Sequence, residues 1–336
     1  MRAMILNKPG VLERSKIDRP ITQEGNVLVH VNNSGICGTD LKIYSGAIPV
    51  AYPRIMGHEL IGEIAETADP KVAVGTRVII DPVMACGNCY QCQAGQTNLC
   101  PTGGLMGREQ DGGFADFVPV PANNVYALPD SIKNKEASLL QVLTTCVHAQ
   151  KLSPIIPGNS VVVIGLGVTG QLHMQLAKES GASPVIGITR SAKKRKLAED
   201  LGADATFEPK EGLKSHILDL TDGRGADLVI ESVGKIVTFS QAIDLVRIGG
   251  RILNFGIYTE TQGELPFYQL YNKELLIINA RAAKSDDFTP SIEMVNRGAV
   301  KLNPLISHQM PLEKLSKALE TLGSPAIDTM KIVLKH

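Results

Sequence analysis

The chain has no surplus of charge: 34 Lys and Arg residues face 34 Asp and Glu residues, a formal net charge of zero. That balance argues against a nucleic-acid partner or an anionic membrane surface, both of which select basic patches. No apolar run approaches the ~20 residues that a membrane-spanning helix needs. The opening residues, Met1 to Gly10, hold no apolar core of signal-peptide length, so a cytosolic protein is expected. Repeats and low-complexity segments are absent as well. What remains is an ordinary globular composition over 336 residues, 43% hydrophobic and 20% charged, long enough for two domains.

The chain is organised around a stretch near its middle. Four apolar residues, Val161 to Ile164, run into Gly165-Leu166-Gly167-Val168-Thr169-Gly170. The apolar run reads as a strand buried on both faces. Gly165 then permits a tight turn, Gly167 lets backbone approach a pyrophosphate, and Gly170 lets the next helix lie close on the strand. Leu172, Leu176 and Ala177 mark that helix, and Gly181 stops it. A helix N-terminus supplies free N–H groups and a positive dipole end for phosphates. The same six-residue pattern alone is more often a flexible loop; the strand before it and the helix after it favour a dinucleotide site.

There are six cysteines. Four of them form Cys86-x2-Cys89-x2-Cys92-x7-Cys100, a spacing that lets one loop wrap a tetrahedral zinc ion with four thiolates. An iron–sulfur cluster or a redox pair would be the rivals. With no histidine and no open position, this zinc is expected to be structural. Cys37, in Gly35-Ile-Cys37-Gly-Thr39-Asp40, and His58, in Gly57-His58-Glu59, are candidates for a second, catalytic zinc. Each taken alone reads more readily as a buried small residue or a core histidine. Three protein ligands and an open position describe a catalytic zinc, but the 21 steps between Cys37 and His58 leave it to the fold to join them.

In order, residues 1 to about 35 alternate apolar and polar, with Val27–Val31 the clearest strand, and suggest an antiparallel, barrel-like domain. Asp111-Gly-Gly turns into a strand ending near Pro121. Residues 130 to 151 read as a helix capped by Ser131, and Pro154 and Pro157-Gly158 mark a boundary. From 160, strands at 161–164, 185–189, 205–207, 227–233, 251–255 and 275–278 alternate with helices, which implies a parallel, doubly wound sheet. Helices at 287–297 and 311–323 and a strand at 331–334 then close the chain, returning to the first domain.

Taken together these motifs resemble the zinc-containing medium-chain alcohol and polyol dehydrogenases, most closely the branch of sorbitol and threonine dehydrogenases. The resemblance covers essentially the whole chain. It implies a GroES-like β-barrel catalytic domain from residues 1–152 and 286–336, with a zinc lobe at about 84–102, and a Rossmann domain from 153–285. The active site would lie in the cleft between them, and homodimers or homotetramers would form partly through the last Rossmann strands. By the same resemblance Cys37 and His58 are catalytic zinc ligands, Thr39 relays the alcohol proton, and Glu59 binds the zinc or sits just outside it. The family's third ligand, a cysteine or glutamate, aligns with Gln141. A neutral amide is a poorer ligand, so Gln141 binds weakly, or Glu59 and a water complete the shell, or Cys146 takes part. Cys37, His58 and Glu59 with water is the preferred set. Lys42 stands where the alcohol dehydrogenases often carry a relay histidine.

No acid occurs between Gly181 and Glu199, where an NAD site usually places one for the ribose hydroxyls. Thr189, Arg190 and Ser191, with Lys194 behind them, would instead bind a 2′-phosphate, so NADP(H) is expected over NAD(H). Lys193 to Lys196 otherwise read as a solvated helix face. Val233 and Gly256, beyond two later strands, complete the expected cofactor contacts. The expected function is interconversion of a secondary alcohol, a polyol or sugar alcohol first, and its ketone. The alternatives are a zinc-stapled nicotinamide-binding sensor or scaffold and a zinc-independent enone or quinone reductase.

Overall fold

The protein is described here by a computed structural model covering residues 1–69, 72–324 and 328–336. The chain forms two compact units: 1–144 with 284–298 and 302–336, and 145–283 with 299–301. The division at 144/145 falls inside the helix Leu140–Leu152, ahead of the prolines that suggest a boundary in the sequence.

The first unit is built on the strand Asn26–Gly35. It pairs antiparallel with Glu59–Thr67, with Phe117–Pro121 and with the closing strand Lys331–Lys335. Its register slips between Leu28 and Val29 and between Val31 and Asn33. Such bulges sharpen the twist and let one strand serve several partners round a closed surface. Val27, Val29, Val31, Leu60, Ile64 and Val78 fill the interior beneath it. A small sheet of Val11–Lys16, Arg2–Lys8 and Arg54–Ile55 stands beside it. The closing strand, paired with Asn26–Gly35, belongs to the first unit.

The second unit is a six-stranded parallel sheet. Its spatial order is Ala205–Phe207, Val185–Ile188, Val161–Ile164, Ala226–Glu231, Val246–Asn254, Leu276–Asn279. This is the doubly wound order, in which the chain leaves the central pair of strands in opposite directions. Val161–Ile164 and Ala226–Glu231 are buried along their whole length, as central strands covered on both faces must be.

Three local expectations fail. The helix at 130–151 is two helices, Asn134–Ala137 and Leu140–Leu152, and Lys133 precedes the first. Ser131 is not its cap; its hydroxyl donates to Asn296 Oδ1 at 2.6 Å. At the break the Ser138 carbonyl lies close to Gly35, where a Cβ would come within 3.0 Å of its oxygen. The segment at 311–323 starts as the end of a strand, Ile306–Pro311, parallel to Lys331–Lys335, and its helix begins only at Leu315. The strand expected at 251–255 begins earlier, at Val246.

One buried acid in the first unit gives the fold a pH signature. Asp81 is 2% exposed. It accepts from the Val83 amide at 2.9 Å and from the Ser285 hydroxyl at 3.3 Å, with Asp287 close by. Burial pushes its carboxyl from the ordinary 3.8 up to about 7, and Asp287 adds to the rise. A carboxyl raised on folding stabilises fully below its unfolded pKa and loses that contribution as pH climbs through about 7. Ionised, it costs up to ~4 kcal/mol at about 1.4 kcal/mol per unit. Asp81→Asn keeps the acceptor for Val83 and removes the charge. It is expected to raise Tm on the order of 5 °C at pH 8.5 and hardly at all at pH 5. An equal change at both values would show that ionisation of Asp81 is not the cause.

Candidate active site

The helix Gly38–Tyr44 opens at Cys37, whose backbone N–H donates to Asp40 Oδ2 at 2.9 Å. This caps the helix start and turns Asp40 inward, where it is fully buried. His58 ends the loop that enters the strand Glu59–Thr67. The ligating atoms of Cys37, His58 and Glu59 all lie within 4.8 Å of one another. The fold therefore brings together residues that local spacing could not. His58 Nδ1 stands 3.4 Å from Asp40 Oδ1, longer than a well-formed hydrogen bond. Burial disfavours the imidazolium, but Asp40 and, less strongly, Cys37 outweigh it and hold the His58 pKa well above its usual value. Asp40 thus stands beside the ring, where an acidic partner commonly sits behind a metal-bound histidine. Only its place three residues after Cys37 hinted at this.

Glu59 is fully buried, and Lys331 from the closing strand holds both its oxygens, at 2.8 and 2.6 Å. The Lys331 ammonium also donates to the Ile36 carbonyl. An oxygen of Glu59 offered to a cation would be shared with this ammonium. Lys331 lies 272 positions away in sequence, so no motif pointed to it. Gln141 is buried near the start of the helix Leu140–Leu152. The Ser138 carbonyl, three residues before it, packs against Gly35 on the same side as a Glu59 oxygen. Cys146 is in the second unit, its sulfur 3.9 Å from the Thr169 carbonyl. Thr39 is half-buried in the first turn of its helix. The donor set of a thiolate, an imidazole and a carboxylate suits zinc.

The four lobe cysteines form the other cluster, again with all ligating atoms within 4.8 Å. Cys86 and Cys92 sulfurs are 4.0 Å apart, and those of Cys89 and Cys100 are 3.9 Å apart. Four sulfurs at ~2.3 Å from a tetrahedral centre would stand about 3.8 Å from one another, so the set fits zinc without rearrangement. Amides of Cys86 and Cys92 donate to the Cys100 and Cys89 sulfurs. The first of these holds the Cys100 thiol below its usual pKa.

In the second unit the glycine loop follows Ile164 directly. A Cβ at Gly170 would collide with the Gly165 carbonyl, which fixes how closely helix Val168–Glu179 approaches the strand. At Gly167 a Cβ would meet nothing within 4 Å. That opening lies before the free amides of the first helical turn, the arrangement a pyrophosphate needs. Leu166 is buried beneath the loop, and the Thr169 hydroxyl meets that of Ser232 at 2.7 Å. At the end of the second strand Ser191 caps the helix Ala192–Asp200 by accepting from the Lys194 amide. Arg195 donates to the carbonyls of Thr189 and Arg190 and holds their turn. Arg190 itself is exposed there. Arg195 is a support that sequence patterning assigned to a solvated helix face. Val233 and Gly256 follow the two strands beyond.

Comparison with known proteins places these features. The family described as "Alcohol dehydrogenase GroES-like domain" matches residues 23–130, and "Zinc-binding dehydrogenase" matches 168–297. A sorbitol dehydrogenase of Halalkalibacterium halodurans is 30% identical over 341 residues, 99% of each chain. An L-threonine 3-dehydrogenase of Pyrococcus horikoshii is 33% identical, covering 100% of this chain and 99% of that one. Among solved structures, a zinc-binding dehydrogenase from Sinorhizobium meliloti bound to NADP superposes with TM-score 0.93 at 31% identity, over 100% of this chain and 99% of that chain.

Proposed function

The chain belongs to the zinc-binding, GroES-like alcohol dehydrogenases, and from that premise we propose that it interconverts a secondary alcohol, a polyol or sugar alcohol, and the matching ketone with NADP(H). The observation that carries the reading is the convergence of Cys37, His58 and Glu59. When bound, zinc there supplies Lewis acidity to the alcohol oxygen, and the dinucleotide supplies the hydride acceptor or donor. The chain's own residues do the rest. Cys37 and His58 hold the metal, with Glu59 and a water as the preferred completion and Gln141 as the weaker alternative. Asp40 fixes the ring of His58. The Thr39 hydroxyl accepts the alcohol proton and passes it outward. The four lobe cysteines hold a second, structural zinc.

The glycine loop holds the pyrophosphate on the amides of Val168, Thr169 and Gly170. Thr189, Arg190 and Ser191 take the 2′-phosphate, because no carboxylate stands there to repel it and a guanidinium pairs well with phosphate. Arg190→Ala is expected to raise KM for NADP about tenfold or more, at ~1.5–3 kcal/mol for a charge-assisted bond, and to leave KM for NAD within about twofold. Steady-state kinetics with both cofactors check this. A wild-type preference for NAD, or equal losses with both, would remove the NADP assignment.

The polyol choice rests on likeness to the sorbitol dehydrogenase; threonine-type amino alcohols are the competing class. Following NADP⁺ reduction across polyols, 3-hydroxy amino acids and hydrophobic alcohols tests it, and turnover confined to either of the last two groups would reject polyols. The strand Leu276–Asn279 ends the sheet order and leaves Leu276 62% exposed, and Tyr268 and Tyr271 of the preceding helix are exposed as well. An apolar, unpaired edge of this kind supports pairing with a second copy of the chain, a homodimer or a tetramer built from it.

A further inference from the structure

Glu231 ends the strand Ala226–Glu231 and is fully buried. It pairs in register with Ile164, the last residue before the glycine loop. These two strands are where the doubly wound sheet reverses direction, and ligands of such sheets sit beyond the carboxyl ends at that point. A carboxylate buried there needs partners, and every partner it has is a neutral donor. Oε1 accepts from the amides of Val233 at 2.9 Å and Gly234 at 3.1 Å and from the Thr238 hydroxyl at 2.8 Å. Oε2 accepts from the Gly234 amide at 3.0 Å and the Tyr258 hydroxyl at 2.8 Å. Its own carbonyl accepts the amides of Phe255 and Gly256. The charge sits at the start of the helix Ile236–Leu245, whose dipole favours it.

One residue thereby ties two connections together. Val233 and Gly234 follow the fourth strand in chain order, and Gly256 to Tyr258 follow the fifth. A side chain at Gly256 would run into the Gly234 backbone and Glu231 Oε2. On the other side a Cβ at Gly165 would press on the Val233 side chain. Val233 itself is 42% exposed, while the Glu231 carboxylate faces away from solvent. Burial, reinforced by Glu231, pushes the Tyr258 hydroxyl up, so it stays a donor.

We propose that Glu231 is a positioning residue for the nicotinamide cofactor: it does not touch the dinucleotide but presents Val233 and the Gly234 and Gly256 turns to it in a fixed arrangement. The inference rests on the dehydrogenase reading. A turn already pinned loses little freedom on binding, whereas a loose one must be ordered by the ligand.

The test is fluorescence titration of NADPH into wild type, Glu231→Gln and Glu231→Ala, with amide hydrogen exchange of residues 233, 234 and 256 in the cofactor-free proteins. Glutamine keeps an acceptor for Val233, Gly234 and Thr238, and its NH2 can donate to the Tyr258 oxygen. The expected result is a Kd raised about tenfold or more in Glu231→Ala, within about threefold of wild type in Glu231→Gln, and faster exchange at the Val233 and Gly234 amides only in alanine, with the Gly256 amide, bonded to the backbone carbonyl of residue 231, as the internal reference. Zinc content should not change, since both metal clusters lie in the other unit. An unchanged Kd in Glu231→Ala, or a glutamine variant as weak as alanine, would overturn the proposal. If the alanine variant fails to fold, Thr238→Val with Tyr258→Phe removes two of the donors; its Kd should rise several-fold, and a wild-type Kd would overturn the proposal equally. Wild-type protein that binds neither NADPH nor NADH would bring down the dehydrogenase reading, and this inference with it.

Discussion

Cys37→Ala is expected to lower kcat/KM for alcohol oxidation by at least ~10³-fold while leaving NADPH binding within about twofold. Lewis-acid activation of the alcohol oxygen contributes several kcal/mol to the barrier, and about 1.4 kcal/mol is tenfold in rate. Removing the thiolate leaves His58 and a Glu59 already held by Lys331 through both oxygens, too few ligands to retain zinc. The glycine loop lies in the other unit and contributes none of these ligands. The measurement is steady-state kinetics with cofactor titration and metal analysis on the same preparation. A zinc-independent reductase would keep its turnover in this variant. A sensor or scaffold would show no turnover in the wild type either.

Cys100→Ser should lower Tm by more than 10 °C and release one zinc per chain, with activity lost as a consequence of unfolding near the lobe. Between Met84 and Gly103 only Asn98 and Cys100 are buried, and the local elements are single turns, Tyr90–Gln93 and Thr97–Leu99. So small a segment cannot bury enough apolar surface to hold itself, and structural zinc sites contribute on the order of 10 kcal/mol in its place. Differential scanning calorimetry with and without a chelator checks this. An unchanged Tm and zinc content would show that the lobe is held by something else. Chelation of the wild type should reproduce the variant's loss.

The second unit was the most legible part of the sequence because its signals are local. Val161–Ile164 is a continuous apolar run, Leu228–Ile230 is a shorter one, and the three glycines of the loop stand at fixed offsets. The site was half legible. The four lobe cysteines announce themselves by spacing, whereas Cys37 and His58 stand out only through the order of motifs that ties them to a family. Lys331 did not, because its meeting with Glu59 depends on the closing strand reaching Asn26–Gly35 across the whole chain. Asp40 and Glu231 carry no role that the sequence alone assigns, since only burial reveals what an acid must be bonded to. Arg195 was masked by its place in a basic run. The break in the helix at 138–139 is invisible for a similar reason: apolar spacing continues through it.

The most direct test of the catalytic metal centre is diffraction at the zinc absorption edge from crystals of the wild-type protein. The account predicts two anomalous peaks per chain, one equidistant from the sulfurs of Cys86, Cys89, Cys92 and Cys100 and one within bonding distance of both the Cys37 sulfur and the His58 ring. A single peak in the lobe, with none at Cys37 and His58 in zinc-replete crystals, would contradict it.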